Sequence, residues 1–134
     1  MSYDLAIFEP RGELRDRAVF LDWFRSRVRW NRLLDYNDSS NAIEPLRRWL
    51  VEMRAVFPPI NGLQQSNVKF EGLADYVIGT DLVFVAFQSL SAEAAYDTAY
   101  RLAAKHHVGF FDVSGDGQIW FPTSNYRLEL IDNN

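Results

Sequence analysis

The sequence contains no cysteine, and none of its apolar runs approaches the ~20 residues that a membrane-spanning helix requires. The lack of cysteine excludes disulfides and thiolate metal sites, and it is compatible with a reducing compartment. Residues 1–4 contain neither a basic segment nor the start of a long apolar stretch, so they do not resemble a secretory signal. We therefore expect a cytoplasmic protein without a membrane partner.

Residues and motifs typical of catalytic, cofactor or metal sites are also scarce. The chain has two histidines, His106 and His107, and it lacks the G-x-S-x-G, H-E-x-x-H, phosphate-loop and dinucleotide-binding motifs. Adjacent side chains on a helix point about 100° apart, so the two histidines cannot serve one site. Positive charge is favourable in the last turn of a helix, and this accounts for both of them. We expect no catalytic residues, no cofactor and no metal, and a protein that is not an enzyme.

What the chain does contain is typical of a globular protein. A chain of 134 residues, 48% of them hydrophobic, can bury roughly two thirds of the surface that it exposes when unfolded. Such a core is stable without disulfides or other cross-links. We expect a single α+β domain over residues 1–134, in which residues 123–134 form an extra edge strand or a tail. The net charge of −4 makes nucleic acid an unsuitable partner.

Arginine is concentrated near the N-terminus. Six arginines lie within residues 15–32, namely Arg15, Arg17, Arg25, Arg27, Arg29 and Arg32. Their guanidinium groups could form a face that binds carboxylate or phosphate. A solvated helix face with intrahelical pairs, such as Asp22 with Arg25, explains the same residues. The acidic balance of the whole chain favours the solvated face.

The spacing of apolar residues predicts three helices. The first covers residues 13–30, the second begins near Pro45 and stops before Pro58, and the third lies between Ser91 and Gly109. Their apolar stripes are Leu14, Ala18, Leu21, Phe24 and Val28; Leu46, Trp49, Leu50, Met53 and Phe57; and Ala92, Ala95, Tyr96, Ala99, Leu102, Ala103 and His106. Phe20 and Trp23 widen the first stripe, so we expect the first helix to pack on two sides.

Alternating or continuous apolar segments predict the strands. They cover residues 3–8, 75–78, 82–87, 110–113 and 118–121. The 82–87 segment is apolar on both faces, as a central strand would be. The element order β-α-α-β-β-α-β-β, with an optional last strand at 126–130, predicts an α+β fold. Within that class we expect a ferredoxin-like antiparallel sheet with the helices on one face.

Residues 58–74 show little periodicity. A loop of this length is uncommon in a compact domain and often has a function. It supports an alternative hypothesis, in which the protein is a small enzyme or ligand-binding domain and this segment is its lid.

Residues 112–119 resemble the opening of a calcium-binding loop, with oxygen-bearing side chains at positions 1, 3 and 5 and glycine at position 6. The match fails at position 12, where Thr123 replaces the bidentate glutamate, and predicted strands flank the loop instead of helices. A tight turn that requires positive φ also explains the glycines. We expect a plain hairpin, and a calcium- or partner-stabilised structural module remains a third hypothesis.

A polar loop at residues 35–38 is the candidate for partner binding. It combines Asp35, Tyr36 and Asp38, and Glu44 extends its acidic side. Exposed tyrosine is frequent among the residues that dominate binding energy at protein interfaces. Asp and Asn also form turns and helix caps without any partner. We predict that Asp35, Tyr36, Asp38 and Glu44 bind a protein partner.

Five segments together resemble a family of small, largely uncharacterised bacterial proteins. They are residues 2–5 (SYDL), 35–38 (DYND), 57–62 (FPPING), 75–78 (DYVI) and 107–117 (HVGFFDVSGDG). Small acidic proteins of this kind are similar to immunity proteins, which neutralise antibacterial toxins delivered by contact-dependent or type VI systems. The chain departs from the family pattern in two places. It has two adjacent histidines, His106 and His107, where we would expect one histidine beside a glycine or similar residue, and its tail after Pro122 differs.

The resemblance implies a non-enzymatic binding protein whose partner is a toxin domain. It supplies no catalytic residues to carry over. An acidic and aromatic surface would suit a nuclease toxin, because such a toxin presents a basic cleft that carboxylates can fill in place of phosphates.

Overall fold

The computed structural model describes residues 2–30, 39–60 and 72–131. Within these ranges the chain forms six strands and three α-helices: β1 (Ser2–Phe8), α1 (Arg17–Trp30), α2 (Glu44–Val56), β2 (Ala74–Ile78), β3 (Leu82–Gln88), α3 (Ala92–His106), β4 (Gly109–Phe111), β5 (Ile119–Pro122) and β6 (Leu128–Leu130). The α+β class predicted from the sequence is confirmed. None of the described helices has the length and apolar character needed to cross a membrane.

The six strands form one open sheet in the order β2-β3-β1-β4-β5-β6, and every neighbouring pair is antiparallel. β1 lies in the interior of the sheet and pairs with β3 along its whole length, from Ser2 opposite Gln88 to Phe8 opposite Leu82. The segment that the sequence offered as a possible last strand forms β6 at one edge. The ferredoxin-like arrangement is not reproduced, because β5 and β6 continue the sheet beyond β4.

The sheet is covered on both faces, which corrects the prediction that all helices share one face. Side chains alternate along β1, so that Leu5 and Ile7 join the core formed with α2 and α3. Ala6 and Phe8 instead join a second core that contains Phe20 of α1. The physical reason is that β1 and β3 are apolar on both faces, and each face must be removed from water.

The predicted stripe of α2 is confirmed. Leu46, Trp49, Leu50 and Met53 are all buried, and the helix ends at Val56, directly before Phe57 and Pro58. Trp49 has no exposed surface, and its Nε1–H donates a hydrogen bond to the Ala99 carbonyl of α3 at 3.3 Å. Trp49 therefore contributes to the packing of α2 against α3.

The helix α1 begins later than predicted, and it buries only part of the predicted stripe, with Leu14 in the second core and Leu21 and Phe24 packed against it. Residues 12–15 form a 3-10 turn, and the Asp16 carboxylate accepts a hydrogen bond from the Val19 N–H at 3.1 Å, as an N-cap residue does. With this start, Phe20 is fully buried, whereas Ala18 and Val28 of the predicted stripe are exposed.

Candidate functional site

The predicted partner-binding residues are only partly within the described chain. Asp35, Tyr36 and Asp38 lie outside the described residues, so their role stays a prediction. Glu44 is the first residue of α2, is exposed, and pairs with Arg48 one turn later, with 2.7 Å between Oε2 and Nη2. Carboxylates are favourable in the first turn of a helix, which accounts for Glu44 independently of a partner.

The predicted lid, residues 58–74, is described at its two ends only, because residues 61–71 lie outside the described chain. The two ends are joined: Pro59 and Ala74 form a parallel bridge, and the Ala74 N–H donates to the Pro58 carbonyl at 3.0 Å. The segment therefore leaves and returns at one point beside β2. Its role as a lid stays a prediction.

The loop between β4 and β5 is built around the carboxylate of Asp112, which is buried. Asp112 Oδ1 accepts a hydrogen bond from the Tyr3 hydroxyl at 2.7 Å, and Oδ2 accepts one from the Asp116 N–H at 3.4 Å. A Cβ atom at residue 115 would collide with this carboxylate, and Gly117 has φ of +68°, so both glycines are needed by the turn. Protein donors thus account for the first position of the calcium-like motif.

The buried pair of Tyr3 and Asp112 also affects ionisation. Burial raises the pKa of Tyr3 far above its usual value, and the hydrogen bond to Asp112 raises it further. Tyr3 is therefore a neutral donor at any ordinary pH. Within residues 2–30, 39–60 and 72–131, no group of three or more His, Asp or Glu side chains is placed to hold a metal ion.

Two tyrosines of α3 pack against the sheet at the edge of the core and stack on each other. The rings of Tyr96 and Tyr100 are 6.1 Å apart and nearly parallel. Both also contact the Phe110 ring edge to face, at 5.2 Å and 5.9 Å, and Tyr100 contacts the Trp120 ring at 5.3 Å. Such contacts hold aromatic rings in one orientation. The sequence placed Tyr96 in the buried stripe, but the structure leaves it only half-buried.

An open pocket of about 520 Å³ lies on the N-terminal half of α3 and is lined by Glu93, Ala94, Tyr96 and Asp97. We call it the acidic pocket. Burial raises the pKa of Tyr96, and the nearby carboxylates of Asp112 and Asp116 raise it further. The pocket therefore combines a rigid tyrosine with several negative charges. These residues were missed from the sequence, although the spacing Glu93-x-x-Tyr96-Asp97 could have indicated them, because helix residues three and four apart share a face.

The side chain of Leu90 adds an apolar group next to this pocket along the chain. It lies in the 3-10 turn that precedes α3, and 91% of it is exposed. Leu90 is three residues before Glu93, so it stands at the same end of the helix. An exposed leucine beside acidic residues can contribute contact area to a partner.

His106 and Lys105 contact a carboxylate of α2 instead of forming a site. His106 Nε2 lies 2.5 Å from Glu52 Oε2, and Lys105 Nζ lies 2.9 Å from the same atom. The hydrogen bond from Lys105, and to a smaller extent the one from His106, lowers the pKa of Glu52. These charges therefore tie the end of α3 to α2. His107 is exposed and ends α3 in the left-handed conformation.

Asp81, in the turn between β2 and β3, is the most deeply buried of the ion-paired carboxylates in the described chain. Arg11 Nη2 and Arg27 Nη2 donate to its Oδ2 at 2.7 Å and 2.9 Å, and Arg27 Nε donates to Oδ1 at 3.0 Å. The hydrogen bond to Asp81 raises the pKa of Arg27. This cluster fastens α1 to the sheet.

Two other arginines near the N-terminus also make tertiary contacts. Arg15 Nη1 lies 2.7 Å from Glu129 Oε2 of β6, and Arg17 Nη1 donates to the Gly117 carbonyl at 2.8 Å. Together with Arg27, these contacts correct the interpretation of the arginines as a purely solvated helix face. Arg17 and Arg27 thereby orient the first helix on the sheet, whereas Arg25 is exposed and the side chains of Arg29 and Arg32 lie outside the described residues.

Comparison of the chain with protein-family models, with curated proteins and with solved structures finds no match. The function must therefore be argued from the residues and their geometry.

Proposed function

We propose that this protein is a non-enzymatic binding protein of the immunity type, and that its acidic pocket binds a basic surface of a toxin domain. The observation that carries the proposal is that Tyr96 lines one open pocket together with the carboxylates Glu93 and Asp97. The resemblance of the sequence to small bacterial immunity proteins supports the same class. Location in the cytoplasm is part of this proposal, because an immunity protein acts inside the cell that it protects.

The tyrosine supports tight binding. Tight interfaces obtain most of their free energy from a few anchors, and tyrosine is enriched among them. The ring of Tyr96 is already held by Tyr100 and Phe110, so little conformational freedom remains to be lost on binding. An immunity protein needs such affinity, because a few free toxin molecules are enough to kill a cell.

The charges support recognition of a basic partner. Glu93 and Asp97 are exposed, and the Asp97 side chain retains 73% of its accessible surface. Complementary charge accelerates the encounter between two proteins and excludes partners of the wrong sign. A nuclease toxin with a basic active-site cleft fits these requirements, since the carboxylates would occupy the positions of substrate phosphates.

The test uses the protein encoded by the gene next to this one as the candidate toxin. We expect the two proteins to copurify, and Tyr96→Ala combined with Asp97→Lys to weaken the complex by tens of fold or more in calorimetry. Asp22→Lys is the matched control, since Asp22 is an exposed carboxylate of α1, which packs on the opposite face of the sheet. The control should retain full affinity.

Two results would contradict the proposal in different ways. If the neighbouring protein does not bind the parent chain, the immunity function is wrong. If it binds and the double variant at Tyr96 and Asp97 retains full affinity, the acidic pocket is not the interface. The remaining candidate for the interface is then the loop at residues 35–38, which the sequence predicts to bind the partner. In that case Tyr36→Ala combined with Asp38→Lys should weaken binding by tens of fold.

A further inference from the structure

A second concave surface lies on the C-terminal half of α3. It has a volume of about 360 Å³ and is lined by Tyr100, Arg101, Ala104, Tyr126, Arg127 and Leu128. We call it the basic groove. Its volume falls in the range of pockets that take small molecules. The walls come from one helix and from β6 with the turn that precedes it, so two separate parts of the chain form it.

The charge of the basic groove is opposite to that of the acidic pocket. Its lining contains two guanidinium groups and no carboxylate. Within the described part of the chain, Arg127 forms no ion pair, and Arg101 pairs only with Asp97 at 3.4 Å, where both side chains are well exposed. An exposed pair of this kind contributes little free energy and does not prevent Arg101 from binding an anion.

The turn at the mouth of the groove holds a strained tyrosine. Tyr126 has φ of +59°, which is rare for a bulky residue, and 69% of it is exposed. Its ring stacks on that of His107, with centroids 5.6 Å apart and planes 14° from parallel, and His107 itself has φ of +60°. Strained backbone that the surrounding structure maintains is characteristic of ligand sites.

We propose that the basic groove binds a small aromatic carboxylate. The carboxylate would accept hydrogen bonds from Arg127 and Arg101, whose planar guanidinium groups match its geometry. The aromatic body would lie against Tyr100 and Tyr126, which line the same groove together with two aliphatic side chains. Two cations and mostly apolar walls suit a monoanion with a hydrophobic body better than a phosphate.

The experiment is a titration of the isotope-labelled protein with benzoate, followed by NMR. We expect saturable shifts of the amide signals that line the groove, with a Kd of roughly 1 mM or below for so small a ligand. Benzyl alcohol keeps the ring and lacks the charge, and acetate keeps the charge and lacks the ring. Each should bind at least about tenfold more weakly, since each loses one of the two contacts.

Substitutions locate the site. Arg127→Gln should weaken benzoate binding by about tenfold or more, since it removes a charge-assisted hydrogen bond. Arg48→Gln on α2 is the matched control and should bind as the parent does. Tyr126→Gly removes the ring, relieves the positive φ, and should reduce binding while the protein stays folded.

The absence of saturable shifts with benzoate would overturn the proposal, as would full affinity in Arg127→Gln. Tighter binding of phenyl phosphate than of benzoate would also overturn it, because the ligand class would then be an aryl phosphate. None of these outcomes bears on the acidic pocket, whose partner is tested with a different protein.

Discussion

Trp49 contributes to the packing of the two helices on one side of the sheet. It is fully buried, and its indole bridges α2 to the backbone of α3. Because the surrounding core cannot collapse into a space of this size, we expect Trp49→Ala to lower the free energy of unfolding by about 3–5 kcal/mol in urea denaturation. Val51→Ala on the exposed side of α2 is the control and should change it by less than about 0.5 kcal/mol.

His107 determines where α3 ends. The sequence suggested a break at Gly109, but the helix stops two residues earlier, where His107 takes the left-handed conformation and its N–H donates to the Ala103 carbonyl. Glycine adopts this conformation without a steric cost, so His107→Gly should be more stable than His107→Ala by about 1 kcal/mol. At Lys105, inside the helix, the same pair of substitutions should give the opposite order. Thermal melts of the four variants would decide this.

The loop of the β4–β5 hairpin has part of the sequence pattern of a calcium-binding loop. It places Asp112, Ser114, Asp116 and Gly117 at positions 1, 3, 5 and 6 of a calcium loop. The Asp112 carboxylate, however, already accepts hydrogen bonds from the Tyr3 hydroxyl and the Asp116 N–H. We therefore expect about 1 mM calcium to leave the melting temperature unchanged. A specific site with a Kd well below that concentration would add a kcal/mol or more of stability. A rise that Asp116→Ala abolishes would contradict the plain hairpin.

The helix α3 presents the two candidate surfaces at its two ends. Glu93 and Asp97 belong to its N-terminal half and Arg101 to its C-terminal half, an order that matches the helix dipole. The stacked pair of Tyr96 and Tyr100 lies between them. One element thus supplies both an acidic and a basic concave surface, and the pair of Asp97 with Arg101 and the stack of Tyr96 on Tyr100 link the two.

Over its described residues, the molecule forms an antiparallel sheet between α1 on one face and the pair α2 and α3 on the other. Asp81 helps to hold α1 in this arrangement, and Asp81→Asn would leave Arg11 and Arg27 without their shared carboxylate. We expect a loss of about 2–3 kcal/mol of unfolding free energy, since both guanidinium groups are partly exposed and regain water.

The matched control for this prediction is Asp97→Asn, which removes the same charge from an exposed pair and should cost at most about 1 kcal/mol. Chemical denaturation of both variants gives the comparison. Equal stabilities for the two variants would mean that the Asp81 cluster contributes no more than an ordinary surface ion pair.

The sequence by itself determined the features that depend on local pattern. The stripe of α2, the hairpin after α3 and the α+β class follow from periodicity and turn residues, which involve neighbours a few positions apart. The start of α1 could not be obtained in this way, because the cap at Asp16 competes with an apolar pattern that begins at Leu14.

Only the tertiary structure decided what lies on each face of the sheet and which distant residues meet. Arg27 and Asp81 are 54 positions apart, Tyr3 and Asp112 are 109 apart, and no spacing rule connects such residues. Tyr96 shows the same limit, because helical periodicity assigned it to the core. Its ring packs against the core at Phe110 but stays half-buried, and it lines one of the two candidate surfaces.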